Sequence, residues 1–394
     1  IPYTQLGLAD FRAAVLPWLG DLIARRPAIT KGRAYVTVSP ATRGLRTTAG
    51  GLSIGLGSDA AYLGEELAPA FAALLAVSPA VAALKDVGEW QLATLAGLIA
   101  AEDLSFVSLW SPTYLLALLG ALEPKAEELL ALLNSAQRRR LESALAARKL
   151  DTERLWPSLD CISCWCDGAS AGYARQLGEM FPHSQIDPKG LLATEAAVTV
   201  PWRTLAGAVP AIGSCVIEFH DSTGQALLCD SLREGEVYRL VITTRSGLYR
   251  YDLGDRVECT GWAGAAPLLR FIGRAGVTSD LAGEKLDDGF VAAALTGLGV
   301  PALLVARTEP PGYVLMLQEP IERAGDQVEA SLANNPHYAY ARRIGQLAPL
   351  QLIHNPHLSA QLTRSGLERG QRMGDLKPVA LVPAGSAAKD WLAL

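Results

Sequence analysis

Lysine is scarce in this chain of 394 residues, which contains eight lysines against 27 arginines. Cysteine is also scarce, at six residues, so a small fold held together by disulfides is excluded. Charged residues make up only 19% of the chain, and its mean hydropathy is +0.20. This composition supplies ample apolar surface for a core and excludes intrinsic disorder.

Long apolar runs are absent as well. The longest, at 67–84, is interrupted by Pro69, Ser78 and Pro79, and none reaches the roughly 18–20 apolar residues of a membrane span. No basic start followed by an apolar segment is present, so we expect no signal peptide and a cytoplasmic protein. The net charge of −5 argues against nucleic acid or an anionic membrane as the main partner. We expect a monomer, and the Arg and Ala bias indicates a high-GC bacterial gene.

Three of the cysteines form one cluster, Cys161, Cys164 and Cys166. Such a cluster is half of a metal site, a redox pair, or a buried strand of small residues. The last interpretation is favoured because no second Cys or His pair lies nearby at ligand spacing.

The first 150 residues are mostly helical in pattern. Apolar residues recur at near-helical spacing over 5–25, a short strand is expected at 34–38, and 59–150 is rich in Ala and Leu. Within that stretch, Leu104 to Leu109 predicts a buried strand that leads into a helix starting at Pro112. A further strand is expected from Leu159 to Trp165.

The pattern changes from about residue 159, and the clearest part of the change begins at 198. Short β-type runs alternate with Gly and Asp turns up to 260, which is typical of an antiparallel sheet or a small barrel. After Gly273 we expect a helix at 287–298, strands at 302–307 and 313–318, a polar helix at 320–334 and a final strand at 350–354. The sequence therefore predicts an α/β protein with a large domain over 1–273, made of mixed sheets flanked by helices with a small β-barrel-like part, and a small α/β domain over 274–394.

The most informative segment is 239–257, in which a β run enters a Thr-Thr turn, a Tyr/Arg stretch and then Gly254-Asp255. A carboxylate placed directly after a glycine can accept hydrogen bonds from two neighbouring hydroxyls, as in the binding of a ribose diol. An aspartate in an ordinary β-turn is the alternative.

The segment Thr243-Thr244-x-x-Gly247-Leu248-Tyr249-Arg250-Tyr251-x-x-Gly254-Asp255 resembles the signature of the auxin-responsive Gretchen Hagen family of acyl-acid amido synthetases. That family lies within the adenylate-forming superfamily of acyl-CoA synthetases, adenylation domains and luciferase. The resemblance extends through 267–274 and Gly283-Glu284-Lys285, and upstream to Lys189-Gly-Leu-Leu-Ala-Thr194-Glu195 and Thr47-x-x-Gly50-Gly51-Leu52.

The resemblance implies two half-reactions. A small carboxylic acid attacks the α-phosphate of ATP to give an acyl-adenylate and pyrophosphate, and the amine of an amino acid, or another amine, then displaces AMP. Mg²⁺ and cations must stabilise the charge that develops on the phosphate oxygens. The small domain would be mobile and would close over the site between the two steps.

The resemblance also assigns residues. Thr194 would contact the α-phosphate, Glu195 would hold Mg²⁺, and Asp255 would bind the ribose hydroxyls. Arg274, Lys285 and Tyr249 would contact the nucleotide, and Lys377 would bridge the acyl carboxylate and the α-phosphate. For Lys377 the alternative is a surface lysine in a C-terminal loop. Trp110 to Tyr114 is a candidate wall of the acyl pocket, or plain core packing.

One feature of the family is missing. Its Ser/Gly/Thr-rich phosphate-binding loop precedes an Ile/Leu-Pro step, and Ile1-Pro2 matches the pair just after that loop. Because such a loop holds the β- and γ-phosphates, we expect the natural protein to carry a further N-terminal segment. A thioester-forming relative of the acyl-CoA synthetases, and an inactive fragment or binding protein, are the alternative functions.

Overall fold

The computed structural model describes residues 4–36, 46–48, 50, 53–54, 72–84, 86–147, 149–274, 276–368, 371, 376 and 378–393. Gly51, Leu52 and Lys377, which carry parts of the family resemblance, lie outside these residues. Within the described part of the chain, no helix combines the length and the apolar character needed to cross a bilayer.

The N-terminal part of the chain begins with the helix α1, Gln5–Arg25, which the sequence predicted at 5–25. The Thr4 side chain caps it by accepting a hydrogen bond from the backbone N–H of Gly7 at 3.0 Å. Its buried face consists of Phe11, Ala14, Trp18 and Leu22, spaced three or four residues apart.

This helix covers one face of a four-stranded parallel sheet with the order β1-β4-β5-β6. The strands of this sheet are β1 (Arg33–Val36), β4 (Leu104–Ser108), β5 (Cys161–Cys164) and β6 (Gln185–Pro188). Between β1 and β4, two short strands, β2 (Arg46–Thr47) and β3 (Ser53–Ile54), pair with each other in a separate sheet. The predicted strands at 34–38, 104–109 and 159–165 are thus confirmed where the structure describes them. Cys161 and Cys164 lie in the fully buried β5, as the strand interpretation of the cysteine cluster predicted.

Helices pack on the other face of the parallel sheet and enclose the largest core. They are α2 (Val87–Ala100), α3 (Pro112–Gly120), α4 (Ala126–Leu132), α5 (Ser135–Leu145), α6 (Thr152–Leu155) and α7 (Ala171–Met180). Pro112 occupies the first turn of α3, where its missing N–H is not needed. Tyr114 is fully buried in this core beside Tyr35 and Trp90, so it contributes to core packing and not to a pocket wall.

A seven-stranded antiparallel sheet follows, with the order β10-β9-β11-β12-β13-β8-β7. Its strands are β7 (Thr199–Pro201), β8 (Ala208–Pro210), β9 (Val216–His220), β10 (Ala226–Leu227), β11 (Val237–Thr243), β12 (Tyr251–Ala263) and β13 (Ala266–Arg274). The antiparallel arrangement expected for 198–260 is confirmed, and β12 is longer than the run that the sequence indicated.

The C-terminal part is built on a mixed sheet with the order β18-β17-β16-β19. Its elements are β14 (Thr278–Ser279), β15 (Leu286–Asp287), α8 (Asp288–Thr296), β16 (Ala302–Thr308), β17 (Pro311–Leu317), α9 (Ala324–Leu332), α10 (Pro336–Arg343), β18 (Gln351–His354), α11 (Leu358–Glu368), β19 (Leu381–Val382) and α12 (Ser386–Leu392). Helices α8 to α10 cover one face, while α11 and α12 cover the other. The prediction that 350–354 is the final strand is wrong, because β19 pairs in parallel with β16 and completes the sheet.

The two parts meet where β13 ends. A Cβ atom on Gly273 would lie 2.7 Å from the Gly289 Cα, and Gly273 has a φ of +145°. The Arg256 guanidinium forms an ion pair with Asp287, which caps α8. Glycine at 273 therefore allows β13 and α8 to approach backbone to backbone.

Replacing Gly273 by alanine is expected to lower the free energy of unfolding by about 2–4 kcal/mol, because the new Cβ collides with α8 and the residue must keep an unfavourable φ. Denaturant unfolding of both variants measures this. The matched control is Gly213→Ala, since nothing lies within 4 Å of a Cβ there. Equal stabilities of the two variants would show that the contact is not tight in solution.

Candidate active site

A cleft with about 1020 Å³ of empty space, including space open to solvent, lies where the parallel sheet, the antiparallel sheet and the C-terminal part meet. Residues from all three line it: Trp165, Cys166, Asp167, Ser170, Lys189, Gly190, Leu191, Leu192, Thr199, Ala208, Val257, Leu269, Phe271, Gly273, Arg274, Val277, Asp288, Pro378 and Val379. It lies beyond the carboxyl ends of β5 and β6, which is where open parallel sheets bind ligands.

The loop after β5 forms one wall. The backbone N–H of Trp165 donates to the Trp110 carbonyl at 2.9 Å, and the two indole rings pack with their centroids 6.0 Å apart. Trp110, the first residue of the expected acyl-pocket wall, does not line the cleft itself. It packs against Trp165, which does line it.

Asp167 is the titratable group of this loop. Burial raises the pKa of its carboxyl to about 6, although the Phe271 backbone N–H and the Arg270 charge favour the ionised form. The pKa of the Asp288 carboxyl, on the other side of the cleft, is also raised by burial. The cleft thus holds two carboxyl groups whose environment favours the neutral form.

Two free cysteines, Cys164 and Cys166, lie next to this wall. The Sγ atoms of Cys164 and Cys166 lie 4.0 Å apart. Their hydrogen bond and burial raise the pKa of the Cys166 thiol well above its usual range. A thiol that stays protonated is a poor nucleophile and metal ligand. Among the residues that the structure describes, no group of three or more metal-binding side chains occurs.

Thr194 and Glu195 lie on a tight turn that follows β6. The turn is closed by a hydrogen bond from the Ala193 N–H to the Ala196 carbonyl at 3.0 Å and by a bridge between Leu192 and Ala197. Thr194 is exposed and Glu195 is half-buried. Residues 189–192, which lead to the turn, line the cleft. Thr194 and Glu195, the predicted phosphate and magnesium ligands, do not line it.

Asp255 and Arg274 lie together, as neighbours on β12 and β13. The Asp255 side chain is only 2% exposed, and its Oδ1 atom lies 2.8 Å from Arg274 Nε. Arg274 also donates from Nη2 to the Leu253 carbonyl at 2.6 Å. Because Arg274 lines the cleft, a ligand that reaches this carboxylate also meets the guanidinium.

Tyr249 lies apart from the cleft. Its side chain is 80% exposed, in a loop closed by a hydrogen bond from the Thr244 N–H to the Leu248 carbonyl at 2.8 Å. The neighbouring Arg250 pairs with Glu218, and Arg245 pairs with the buried Asp10 of α1. The loop between β11 and β12, which carries much of the family signature, is therefore held at one end by the ion pair with Asp10 and at the other by the ion pair with Glu218.

Lys285 is exposed and does not line the cleft. Its backbone is held in a left-handed conformation, with a φ of +46°. The preceding residue explains this: the buried Glu284 carboxylate accepts hydrogen bonds from the N–H groups of Leu281 and Ala282 at 2.8 and 2.7 Å, and from the Tyr313 hydroxyl. Glu284 belonged to the resemblance without an assigned role, and here it fixes the shape of the turn.

The segment after Lys377 reaches the cleft. Pro378 and Val379 line it, and the Asp288 carboxylate accepts the N–H groups of Ala380 and Leu381, both at 3.0 Å. Sequence reasoning missed Asp288. Its only signal was its place in the first turn of a predicted helix, where a carboxylate is common for other reasons.

Three comparisons place this geometry among known proteins. Residues 215–274 match the family model described as the GH3 family central domain. A stretch of 76 residues is 40% identical to a probable indole-3-acetic acid-amido synthetase, GH3.4, of Oryza sativa subsp. japonica, covering 19% of this chain and 12% of that protein. Among solved structures, the GH3.15 acyl acid amido synthetase matches 100% of this chain and 78% of its own with a TM-score of 0.79 and 19% identity. A 2-hydroxyisobutyryl-CoA ligase bound to 2-HIB-AMP matches 98% of this chain and 71% of its own, with a TM-score of 0.55 and 13% identity.

The fold is therefore that of the adenylate-forming enzymes. Within this class the chain is similar to the GH3 acyl acid amido synthetases, which confirms the resemblance drawn from the 243–255 signature. The match spans only 12% of the length of the rice relative. That relative is a plant protein, and it gives no support to the bacterial origin inferred from composition.

Replacing Asp167 by asparagine tests the environment of the cleft. Because the folded-state pKa is raised, the folded protein binds more protons than the unfolded chain between about pH 4 and 6, so the free energy of unfolding falls as the pH rises through this range. Asparagine can still accept the Phe271 N–H, and it removes the cost of a buried charge. The Asp167→Asn protein should be about 1–3 kcal/mol more stable than the parent at pH 7–8, with a flatter pH profile.

Denaturant unfolding at several pH values checks this expectation. In Asp167→Asn the free energy of unfolding should still change somewhat with pH, because the pKa of Asp288 is raised as well. The exposed Asp230 gives the control variant, Asp230→Asn, for which we expect a change within about 0.5 kcal/mol. An unchanged pH profile of Asp167→Asn would contradict the assignment.

Proposed function

We propose that this chain activates a small carboxylic acid with ATP as an acyl-adenylate and then transfers the acyl group to the amine of an amino acid. The observation that carries the proposal is the ion pair between Arg274, which lines the cleft, and the buried Asp255 beside it, within the segment that matches the GH3 central domain. Related acyl acid amido synthetases share the fold.

The residues of the cleft fit a nucleotide. A ribose offers two neighbouring hydroxyl donors, and a carboxylate such as Asp255 is acceptor-only and can take both. The Arg274 guanidinium beside it supplies donors for the acceptor oxygens of the ribose or the phosphates. The apolar side chains of Phe271 and Val277 offer faces against which a flat base can pack.

Thr194 and Glu195 would act on the phosphates. Their turn begins at the cleft, and within it Thr194 is exposed and Glu195 is half-buried, so a bound triphosphate could extend to it. Mg²⁺ takes one or two protein carboxylates together with phosphate oxygens, and Glu195 would provide one of them. The ion would neutralise the charge that grows on the α-phosphate as the carboxylate attacks. Lys285, which is exposed, would contact the nucleotide only after the C-terminal part changes its position. Tyr249 lies before the hinge, on a loop held to α1 by the Arg245–Asp10 ion pair, so this movement does not carry it and the geometry gives its proposed nucleotide contact no support.

We propose the division at 273/274 as the hinge for such a movement. Gly273 and Gly276 have φ values of +145° and +109°, and they flank the end of β13. Rotation there would break the Arg256–Asp287 pair and the hydrogen bond from Arg175 Nη2 to the Thr296 carbonyl at 3.2 Å. Closure over the adenylate would exclude water, which otherwise hydrolyses it.

Acid-dependent exchange of pyrophosphate into ATP tests the first half-reaction. Mass measurement of the products formed with an amino-acid mixture or with CoA then tests the acceptor, because a thioester product would show the thioester-forming alternative. A chain that binds ATP but exchanges no pyrophosphate with any acid would be the inactive binding protein instead.

Asp255→Asn is expected to weaken ATP binding by about 10- to 100-fold, because asparagine removes the negative charge and one of the two acceptor oxygens that the ribose hydroxyls would use. Titration calorimetry with ATP measures the change. Asp252→Asn is the matched control, since Asp252 lies on the same strand and pairs with Arg239 at 3.3 Å. Equal affinities for the two variants would remove Asp255 from the nucleotide site.

Lys377→Ala is expected to reduce pyrophosphate exchange by at least about 100-fold while ATP affinity changes less than about threefold. The reason is that a cation between the attacking carboxylate and the α-phosphate acts mainly on the transition state. Lys389→Ala, an exposed lysine on α12, is the control. Normal exchange by the Lys377 variant would identify it as a surface lysine.

A further inference from the structure

Asp167 brings a carboxyl group into the cleft from the loop that follows β5. It precedes a short 3-10 helix, Gly168–Ser170, but its side chain does not cap that helix. The side chain instead accepts a hydrogen bond from the Phe271 backbone N–H on β13. Asp167 therefore connects the loop to the antiparallel sheet, and its carboxyl group lies where these two walls of the cleft meet.

The Phe271 ring packs against the same loop. A Cβ atom on Gly168 would lie 3.5 Å from the Cδ1 and Cε1 atoms of the ring, and Gly168 has a φ of +56°. Glycine adopts this φ without strain, so the loop backbone can approach the ring closely. Because Phe271 also lines the cleft, the carboxyl group and the aromatic ring lie side by side on the cleft wall.

The Asp167 carboxyl group has acceptor capacity for a ligand. A carboxylate has two oxygens with about four lone-pair sites, and the N–H of Phe271 uses one of these sites. Burial raises the pKa of the carboxyl to about 6, which is the effect of a site with little water around the charge. A ligand N–H that reaches this carboxyl therefore displaces little water and gains a charge-assisted hydrogen bond.

Asp167 lies about one nucleoside length from Asp255, the proposed ribose ligand. Asp255 and Val257 are two residues apart on β12, a rise of about 7 Å, and Val257 pairs with Phe271 on β13. Val257 and Phe271 both line the cleft. A nucleotide whose ribose hydroxyls bind Asp255 can therefore place its base along these two side chains, with the outer edge of the base at Asp167.

We propose that Asp167 selects adenine among the bases by accepting a hydrogen bond from its exocyclic 6-amino group. The inference rests on the proposed function for the identity of the ligand as a nucleotide. An ionised carboxylate is acceptor-only, so it stabilises an amino group at this position and repels the carbonyl oxygen that guanine and hypoxanthine carry there. A site built to hydrogen-bond a substrate group rejects analogues that lack it.

The test compares three triphosphates of one shape: ATP, purine riboside triphosphate, which lacks the 6-amino group, and 2-aminopurine riboside triphosphate, which carries the amino group at the 2-position. Titration calorimetry on the whole chain is done at about pH 8, where a carboxyl with a pKa of about 6 is ionised. ATP should bind about tenfold or more tightly than either analogue. In Asp167→Ala this preference should fall to about threefold or less, because the acceptor is removed.

Asp167→Asn keeps one acceptor oxygen without the charge, so it should retain part of the preference for ATP. The matched control is Asp230→Ala, which removes an exposed carboxylate outside the cleft and should keep the full preference.

Three results would overturn the proposal: equal binding of the three triphosphates to the parent protein, no binding of any of them, or an equal loss for all three in the Asp167 variants. The comparison on the parent protein needs no variant, so it tests the preference even where a variant fails to fold.

Pyrophosphate exchange with the same three triphosphates separates this inference from the proposed function. An Asp167-dependent preference in binding without exchange would retain the base site and reject the adenylation. Exchange that proceeds equally well with all three triphosphates would retain the adenylation and reject the base site.

Discussion

The backbone contact between Gly273 and Gly289 is the constraint on which the cleft depends. It brings the end of β13 against the first turn of α8, and both walls of the cleft follow from that placement. On one side, Arg274 is the last residue of β13 and carries the cation beside Asp255. On the other side, Asp288 begins α8 and holds the backbone at 380–381. A side chain at 273 would push these walls apart, so the geometry of the site is set by two residues that have no functional group.

The charged groups of the cleft lie in two different settings. Burial raises the pKa of the Asp167 carboxyl and of the Asp288 carboxyl. The Arg274 side chain, in contrast, is 47% exposed beside the buried Asp255 carboxylate. Because water screens an exposed charge more than a buried one, the guanidinium is the solvent-facing member of this pair, and an anionic ligand that enters the cleft meets it before the carboxylate.

Much of the fold follows from the sequence because local pattern and tertiary context agree. The helix α1 and the strand β12 have periodicities that match their burial, and the strand at 104–108 is a short run that is buried almost throughout and is followed by Pro112. The short strand β19 has no such pattern, because two residues carry no period and its pairing with β16 joins segments nearly eighty residues apart. Long-range pairing of this kind is fixed by tertiary packing and not by local preference.

The residues of the cleft can likewise be separated into those that local sequence indicates and those that depend on tertiary packing. Asp255 and Arg274 were named from the signature over 243–255 and its extension over 267–274, and the structure places them side by side on β12 and β13; their role as nucleotide ligands stays a prediction. Asp167, Asp288 and the environment of Lys189 could not be predicted, since each depends on residues that are distant in sequence. Trp18, Ser108 and Trp110 come from α1, β4 and the loop after it, and only the sheet order brings them around one ammonium.

The scarcity of lysine gives this ammonium its meaning. A chain that uses arginine for most of its cations places lysine at 189, between two indole rings and a serine hydroxyl. The guanidinium of arginine is planar, larger and weakly hydrated, and it would stack on one indole with its five donors spread in a plane. The ammonium is a compact point charge that donates to Ser108 Oγ at 2.8 Å and lies near both indole faces. The residue type therefore fits an enclosed site in which a small cation is fixed by its surroundings.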